Sequence, residues 1–237
     1  MISVVIITKN EEYYLPILLR SIRNQTVQPL EVIVADAKST DRTREIAKRF
    51  GCRIVEGGMP SVGRNAGAAV AKGEIVLFLD SDVKLEDQHF LERAEREMNT
   101  RHLDFASCDV IPLSDKKIDY VLHEFYNHFS RVTLPLHVHA PGFCIFARKA
   151  KHDAINGFDE TIIFCEDHEY AKRCRRCGKF GYLNSVKIPV SVRRLDRDGR
   201  LNIALKYTLG ELYIFTIGPI RRNIFKYEFG HKVPAKK

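Results

Sequence analysis

The run Ile75-Val76-Leu77-Phe78-Leu79-Asp80-Ser81-Asp82 ends a stretch of branched and aromatic side chains in two carboxylates separated by one small residue. A short apolar run of this kind is predicted to be a buried strand. In an open α/β sheet ligands bind beyond the carboxyl ends of strands, which is where this pair falls. Two anions so close repel each other unless a cation lies between them and a ligand. Oxygen-only donors favour Mg²⁺ or Mn²⁺, so Asp82 and Asp80 are the candidate metal ligands, with a diphosphate on the far side of the ion and Ser81 within reach of it. Taken alone, the motif is equally compatible with Asp80 capping a turn and Asp82 opening a solvated loop.

The motif does not stand alone. Asp36 follows the run Glu31–Ala35 and Thr8 follows Ile2–Ile7, so three parallel strands are expected to bring polar side chains to one sheet edge. Thr8 and Asp36 are then placed to bond a base or ribose, and the backbone near Asn10 to bring N–H groups close. Each is singly well explained as a turn or cap residue; the shared edge favours binding. A second cluster, Phe164-Cys165-Glu166-Asp167-His168-Glu169, puts three carboxylates at a predicted helix start. They offer a base for a hydroxyl, although acids in a first turn also stabilise the helix dipole and Glu169 alone suffices for that. His168 faces either a ligand or solvent. Cys174-Arg175-Arg176-Cys177 lacks a second pair at zinc spacing and is assigned a structural role, and His137-Val138-His139 reads as a loop rather than a metal site.

Positioning these groups requires alternating strands and helices. Apolar runs at residues 2–7, 31–35 and 74–79 are separated by stretches whose apolar positions recur every three or four residues, such as Leu15, Leu18, Leu19 and Ile22. That pattern predicts an α/β fold with a mostly parallel sheet covered on both faces. Ser39 and Thr40 are expected to start a helix ending at Phe50, and Ser61 to start one over Val62–Ala71, with Gly51 and Gly73 closing them. Farther on, Asp104–Ile111 and Gly142–Arg148 read as strands and Ile118–Phe129 and Asp167–Cys177 as helices. The expected organisation is one domain over residues 1–190, with a nucleotide-binding half (1–100) and an acceptor-facing half (101–190), and a basic, helical C-terminal appendage over 191–237.

The formal charge of +8 sits entirely in the tail: residues 1–186 balance 26 basic against 26 acidic side chains, while residues 187–237 carry 12 against 4. A nucleic-acid reader would spread its cations over the main face with aromatics between them, so nucleic acid is not an expected partner. Residues 199–220 are apolar but interrupted by Lys206, Gly210 and Glu211, too polar for a spanning helix. Flanking arginines fit an interfacial helix on anionic lipid, each exposed cation worth about 1 kcal/mol. A helix packed on the main domain, or on a twin subunit in a homodimer, fits as well. The start of the chain, which leads directly into a strand, and six scattered cysteines expected to be reduced point to a cytoplasmic protein.

Taken together, Ser3–Asn10, Gln25-Thr26 with Glu31–Asp41, Gly63-Arg64-Asn65-Ala66-Gly67 with Gly73, Phe78–Asp82, Gly157-Phe158-Asp159-Glu160 and Glu166-Asp167 resemble a family 2 glycosyltransferase of the GT-A fold, over about residues 2–185. The resemblance implies an inverting transfer of a sugar from a nucleotide sugar, most often a UDP-sugar, to an acceptor such as a polysaccharide or lipid-linked hydroxyl. It implies that Thr8, Asp36 and Arg64 contact the nucleotide, Asp80 the ribose and sugar, and Asp82 the metal. It makes Asp167 the general base, with Glu166 holding acceptor or orienting Asp167. It also makes His231 a distant candidate for an extra metal ligand, since enzymes of this fold often use a late histidine. Arg64 is otherwise a surface arginine at a helix start. A nucleotidyltransferase or a dinucleotide-dependent oxidoreductase needs a glycine-rich loop after the first strand, and Thr8-Lys9-Asn10-Glu11-Glu12 has no glycine. A catalytically silent sugar-binding protein on the same fold is the remaining alternative.

Overall fold

The computed structural model describes residues 1–135, 138–225 and 229–230. A seven-stranded sheet runs in the order β3-β2-β1-β4-β6-β5-β7. β1 (Ile2–Thr8), β2 (Glu31–Asp36), β3 (Arg53–Glu56) and β4 (Ile75–Asp80) are mutually parallel, and β6 (Cys144–Arg148) runs antiparallel to both β4 and β5 (Phe105–Leu113). β7 (Phe180–Ser191) returns parallel to β5 at the sheet edge. Strand β1 is buried along its whole length. A strand points successive side chains to opposite faces, so Val4 and Ile6 join the core under α1 (Leu15–Arg23), α2 (Thr43–Arg49) and α4 (Phe90–Thr100). Val5 joins the opposite core, with Ala68 of α3 (Pro60–Val70), Ile155 at the end of α6 (Lys149–Ala154) and Tyr170 of α7 (Glu166–Cys177). A doubly covered sheet of this kind explains the continuous apolar runs.

Register puts the chemistry at one edge. Thr8 pairs with Asp36, and Ile7 with Asp80, so β1, β2 and β4 end level with one another. The helix-start expectations need correction. Ser39 and Thr40 cap nothing: α2 begins at Thr43, whose N–H is accepted by Asp41 Oδ1 at 2.9 Å. Ser39 and Thr40 instead bond across to the β1–α1 loop, which Asn10 enters at a φ of 58°. Ser61 lies inside α3, after Pro60, because proline's fixed φ already suits a first helical position. Gly51 does follow α2 in the left-handed region, whereas α3 ends at Val70 and Gly73 is two residues beyond its cap. A Cβ on Gly73 would lie 2.6 Å from the Ser3 nitrogen, so close approach to β1 is what requires it.

After β7 come α8 (Arg193–Asp198) and α9 (Arg200–Thr216). No helix among the described residues is long and apolar enough to cross a membrane. Within α9 Ile203 and Gly210 are buried, while Leu201, Leu205, Leu212 and Phe215 are exposed. Spacing of three and four residues puts those four on one face, opposite the buried pair. α5 (Lys117–Thr133) likewise exposes Ile118, Val121, Phe125 and Val132. The inner side of the tail closes a small core of Phe164, Cys165 and Ile220, joined by Tyr207, Tyr213 and Phe225.

Candidate active site

Arg64 organises the centre of the site. It is 2% exposed and sits in the middle of α3. Its Nη2 donates to Asp80 Oδ1 at 3.0 Å and to the Gly142 carbonyl at 3.2 Å, and its Nη1 donates to Glu166 Oε1 at 2.7 Å. One guanidinium therefore joins the end of β4, the turn before β6 and the first turn of α7. The reading of Arg64 as a surface arginine gives way to this buried role. A planar fork of donors is what lets a single side chain meet three partners in fixed directions.

The same turn holds the candidate base. The Gly142 N–H donates to Asp167 Oδ2 at 2.7 Å, and the His168 N–H to Asp167 Oδ1 at 2.9 Å. A side chain at position 142 would press on this cluster, since a Cβ there would lie 2.8 Å from Arg64 Nη2 and 3.0 Å from Asp167 Oδ2 and force both to shift. Asp80, Glu166 and Asp167 thus surround one arginine and one glycine, although 87 residues of chain separate Asp80 from Asp167.

Asp36 is fully buried. Its carboxylate accepts from Thr8 Oγ1 (3.1 Å), Ser39 Oγ (2.5 Å), the Ser39 N–H (3.1 Å) and Arg44 Nη1 (3.1 Å). The N–H groups of Asn10, Glu11 and Glu12 are accepted by Ser39 Oγ, Thr43 Oγ1 and Asp41 Oδ2. The backbone near Asn10, expected to present N–H groups to a ligand, is engaged in locking two loops together. Thr8, Asn10 and Asp36 shape that rim through this lock.

The tail reaches into the site. Arg193 Nε lies 2.8 Å from Asp82 Oδ2, and its two terminal nitrogens hold Glu11 at 2.7 and 2.8 Å, with the guanidinium 4.5 Å over the Tyr14 ring. Arg194 donates to the Tyr207 hydroxyl at 3.1 Å. Glu211 bonds the Nδ1 of His168 and lies 3.7 Å from that of His139. His168, expected to face a ligand or solvent, is buried in this contact. Glu11, Arg193, Arg194, His139 and Glu211 are the site residues that motif reading missed. The one available signal was a carboxylate, Glu211, interrupting an otherwise apolar stretch. His137 and His231 lie outside the described residues. Cys174 is buried in the core beside Tyr170, while Cys177 is exposed.

The electrostatics are those of crowded acids short of cations. Burial pushes Asp80 up to about 7, with the Asp82 and Glu166 charges adding to the rise and Arg64 opposing it. Burial also raises Glu11 and Glu166, against the pull of their arginines. For His168 burial opposes a charge, yet Asp167 and Glu211 outweigh it and hold the imidazole up at about 9. Carboxylates whose neighbours raise their protonation are stabilised by an added cation. Asp80 and Asp82, hard oxygen donors at a strand end, therefore fit Mg²⁺ or Mn²⁺, with Arg193 holding the Asp82 charge meanwhile.

The model of the family described as "Glycosyl transferase family 2" matches residues 3–155. Among similar proteins, a 4,4'-diaponeurosporenoate glycosyltransferase of Staphylococcus haemolyticus is 38% identical over 100 residues, 38% of this chain and 26% of that one. A chondroitin synthase of Pasteurella multocida is 30% identical over 199 residues, 78% of this chain and 20% of that one. The chain thus spans about a quarter or less of these relatives' length. Among solved structures, S. aureus TarS residues 1–349 in complex with UDP-GlcNAc superposes with a TM-score of 0.66 at 21% identity, covering 81% of this chain and 58% of that one. The mannosyltransferase PcManGT of Pyrobaculum calidifontis, in complex with GDP-Man and Mn²⁺, gives 0.69 at 19% identity, covering 89% and 64%. These likenesses establish the GT-A fold, and since the family model spans well over half its length, the chain belongs to glycosyl transferase family 2.

Proposed function

We propose that this protein transfers a sugar from a nucleotide-diphosphate sugar, a UDP-sugar in the first instance, to the hydroxyl of a polysaccharide or lipid-linked acceptor, with inversion at the anomeric carbon. The observation that carries this reading is the meeting of Asp80, Glu166 and Asp167 around Arg64 and Gly142. A donor lying against the ends of β1, β2 and β4 would present its diphosphate to Asp80, Ser81 and Asp82. Bound by Asp82 and Asp80, Mg²⁺ or Mn²⁺ would supply the charge that stabilises the departing diphosphate. Asp167, with both oxygens held by backbone N–H groups, is oriented to take the acceptor's proton as its oxygen attacks from the opposite face; Glu166, fixed by Arg64, sets that first turn. A single displacement of this geometry inverts the carbon. The two complexes with bound nucleotide sugars support the donor class, and an acceptor at a membrane would place the protein on its cytoplasmic face.

A thermal-shift panel of UDP-, GDP- and dTDP-sugars with and without Mn²⁺ tests the reading, because a ligand that binds the folded state raises its stability by mass action. One donor is expected to stabilise the protein only with metal, and Asp82→Ala should remove that dependence. Asp167→Asn should retain donor binding while transfer falls by roughly a hundred- to ten-thousand-fold. Undiminished transfer by Asp167→Asn would remove Asp167 as the base.

A further inference from the structure

Beyond the donor carboxylates, three side chains from separate parts of the chain converge beside Asp167. His139 lies in the segment leading into β6, His168 in the first turn of α7, and Glu211 two-thirds of the way along α9. One ligand atom from each lies within 4.8 Å of the others. The two Nδ1 atoms approach the same Glu211 oxygen, His139 at 3.7 Å and His168 in direct contact. The rings stand at 87° with centroids 5.2 Å apart, both histidines are buried, and the Glu211 side chain is 28% exposed.

We propose that His139, His168 and Glu211 form a second metal site, for Zn²⁺ or a similar borderline divalent ion, distinct from the Asp80–Asp82 pair. Ligand atoms about 2.0–2.2 Å from a tetrahedral ion lie roughly 3.4 Å from one another, close to the separation between His139 and Glu211. Both histidines hydrogen-bond Glu211, and an ion among the three would replace those bonds with coordination by the same atoms. Two imidazoles and one carboxylate form a softer donor set than paired aspartates and select zinc over magnesium or manganese, with a fourth position left for water or a ligand. The surroundings hold the donors in place: the Phe129 ring packs on His139 at 5.2 Å, and the Tyr182 hydroxyl donates to the His139 carbonyl. An ion here fastens α9 to the turn that carries Asp167, since the His168 N–H is itself the donor to Asp167 Oδ1. Its action on transfer is one of positioning.

The test uses the full chain. Zinc content after purification and exhaustive dialysis is measured by plasma mass spectrometry, and Co²⁺ is titrated into chelator-treated protein while its visible d–d bands are recorded. In excess Mg²⁺, wild type and Asp82→Ala should both bind one equivalent of Co²⁺ with the intense bands of a tetrahedral nitrogen-containing site. His139→Asn and Glu211→Gln, checked for folding by circular dichroism, should weaken binding at least tenfold and lose those bands. Wild-type protein that shows no such bands overturns the proposal without variants, as does binding unchanged in both folded variants. Loss of binding in Asp82→Ala alone would also overturn it, assigning the metal to the donor carboxylates. Absence of the second site leaves the donor reading untouched, because the Asp82-dependent thermal shift is measured separately.

Discussion

Arg64 is a buried cation paired with the buried Glu166 and the half-buried Asp80, and removing one member of such a set leaves the others short of a partner. Arg64→Met keeps much of the apolar stem but strands Asp80 and Glu166, and is expected to destabilise the fold by about 3–5 kcal/mol, read from urea denaturation at pH 8. Lowering the pH toward 6 should recover part of the loss, because burial has already pushed Asp80 up to about 7 and a protonated carboxyl needs no partner. A loss that is independent of pH would show that Arg64 acts through packing alone. Asp80, Asp82, Glu166 and Asp167 were legible in the sequence because each belongs to a short local motif at an element end. The part played by Arg64 was not, since its partners lie 16, 78 and 102 residues away. The pairing of Arg193 with Glu11, 182 residues distant, was hidden for the same reason.

At the scale of elements, two contacts decide how the sheet is covered. A Cβ on Gly67 would lie 2.2 Å from Val5 Cγ1, so α3 rests directly on β1. Gly67→Ala is therefore expected to cost roughly 1–3 kcal/mol despite alanine's better helix propensity, and Gly67→Ala combined with Val5→Ala should cost less than the two single changes added together, measured by denaturation. On the same face His152 is 3% exposed, bonded through Nδ1 to the Tyr170 hydroxyl at 2.8 Å and packed on Phe78 and Phe158. Burial pushes it down from 6.5 to about 4. Between those values the unfolded chain binds a proton that the folded one refuses, so stability falls as the pH drops from 6.5 to 4 and this contribution levels off below. A gap of that size is worth about 3 kcal/mol. His152→Gln should flatten that part of the pH–stability curve, and an unchanged slope would assign it to other groups. The strands were legible because a doubly covered sheet leaves continuous apolar runs, as in β1 and β4. The helix starts were less so: Ser39 and Thr40 have the composition of caps, but their bonds go to Asn10 and Asp36, which only the register of β1 and β2 brings near.

Across the whole molecule, the excess positive charge is less available than its count implies. Arg193 is held by Glu11 and Asp82, Arg200 by Asp119 and Asp196, Arg197 by Asp198 and Arg221 by Asp159. Composition located this charge correctly but could not show that Arg193 and Arg200 are half-buried against acids, because Glu11, Asp82 and Asp119 lie far away in the chain. The α9 helix turns an apolar face outward, Leu201, Leu205, Leu212 and Phe215, and α5, whose Asp119 is bonded to Arg200, exposes Val121 and Phe125. A membrane contact would rest mainly on this face, with each side chain inserted contributing up to about 1.5–3 kcal/mol and the acid-paired arginines only a minor part. Full-length protein should therefore cosediment with anionic phospholipid vesicles with a shallow dependence on salt. Leu205→Glu with Phe215→Glu should lower the partition coefficient by roughly a hundredfold or more, while leaving the metal-dependent donor shift intact, since both side chains are exposed. Deleting the tail before Arg193 is a poorer test, because it would also strip Ile220 from Phe164 and Cys165 and release Asp82. Binding that survives the double substitution but disappears in moderate salt would return the contact to the arginines; no binding to vesicles of any composition would leave the face to a second copy of the chain, which sedimentation equilibrium would detect as a dimer lost in the same variant.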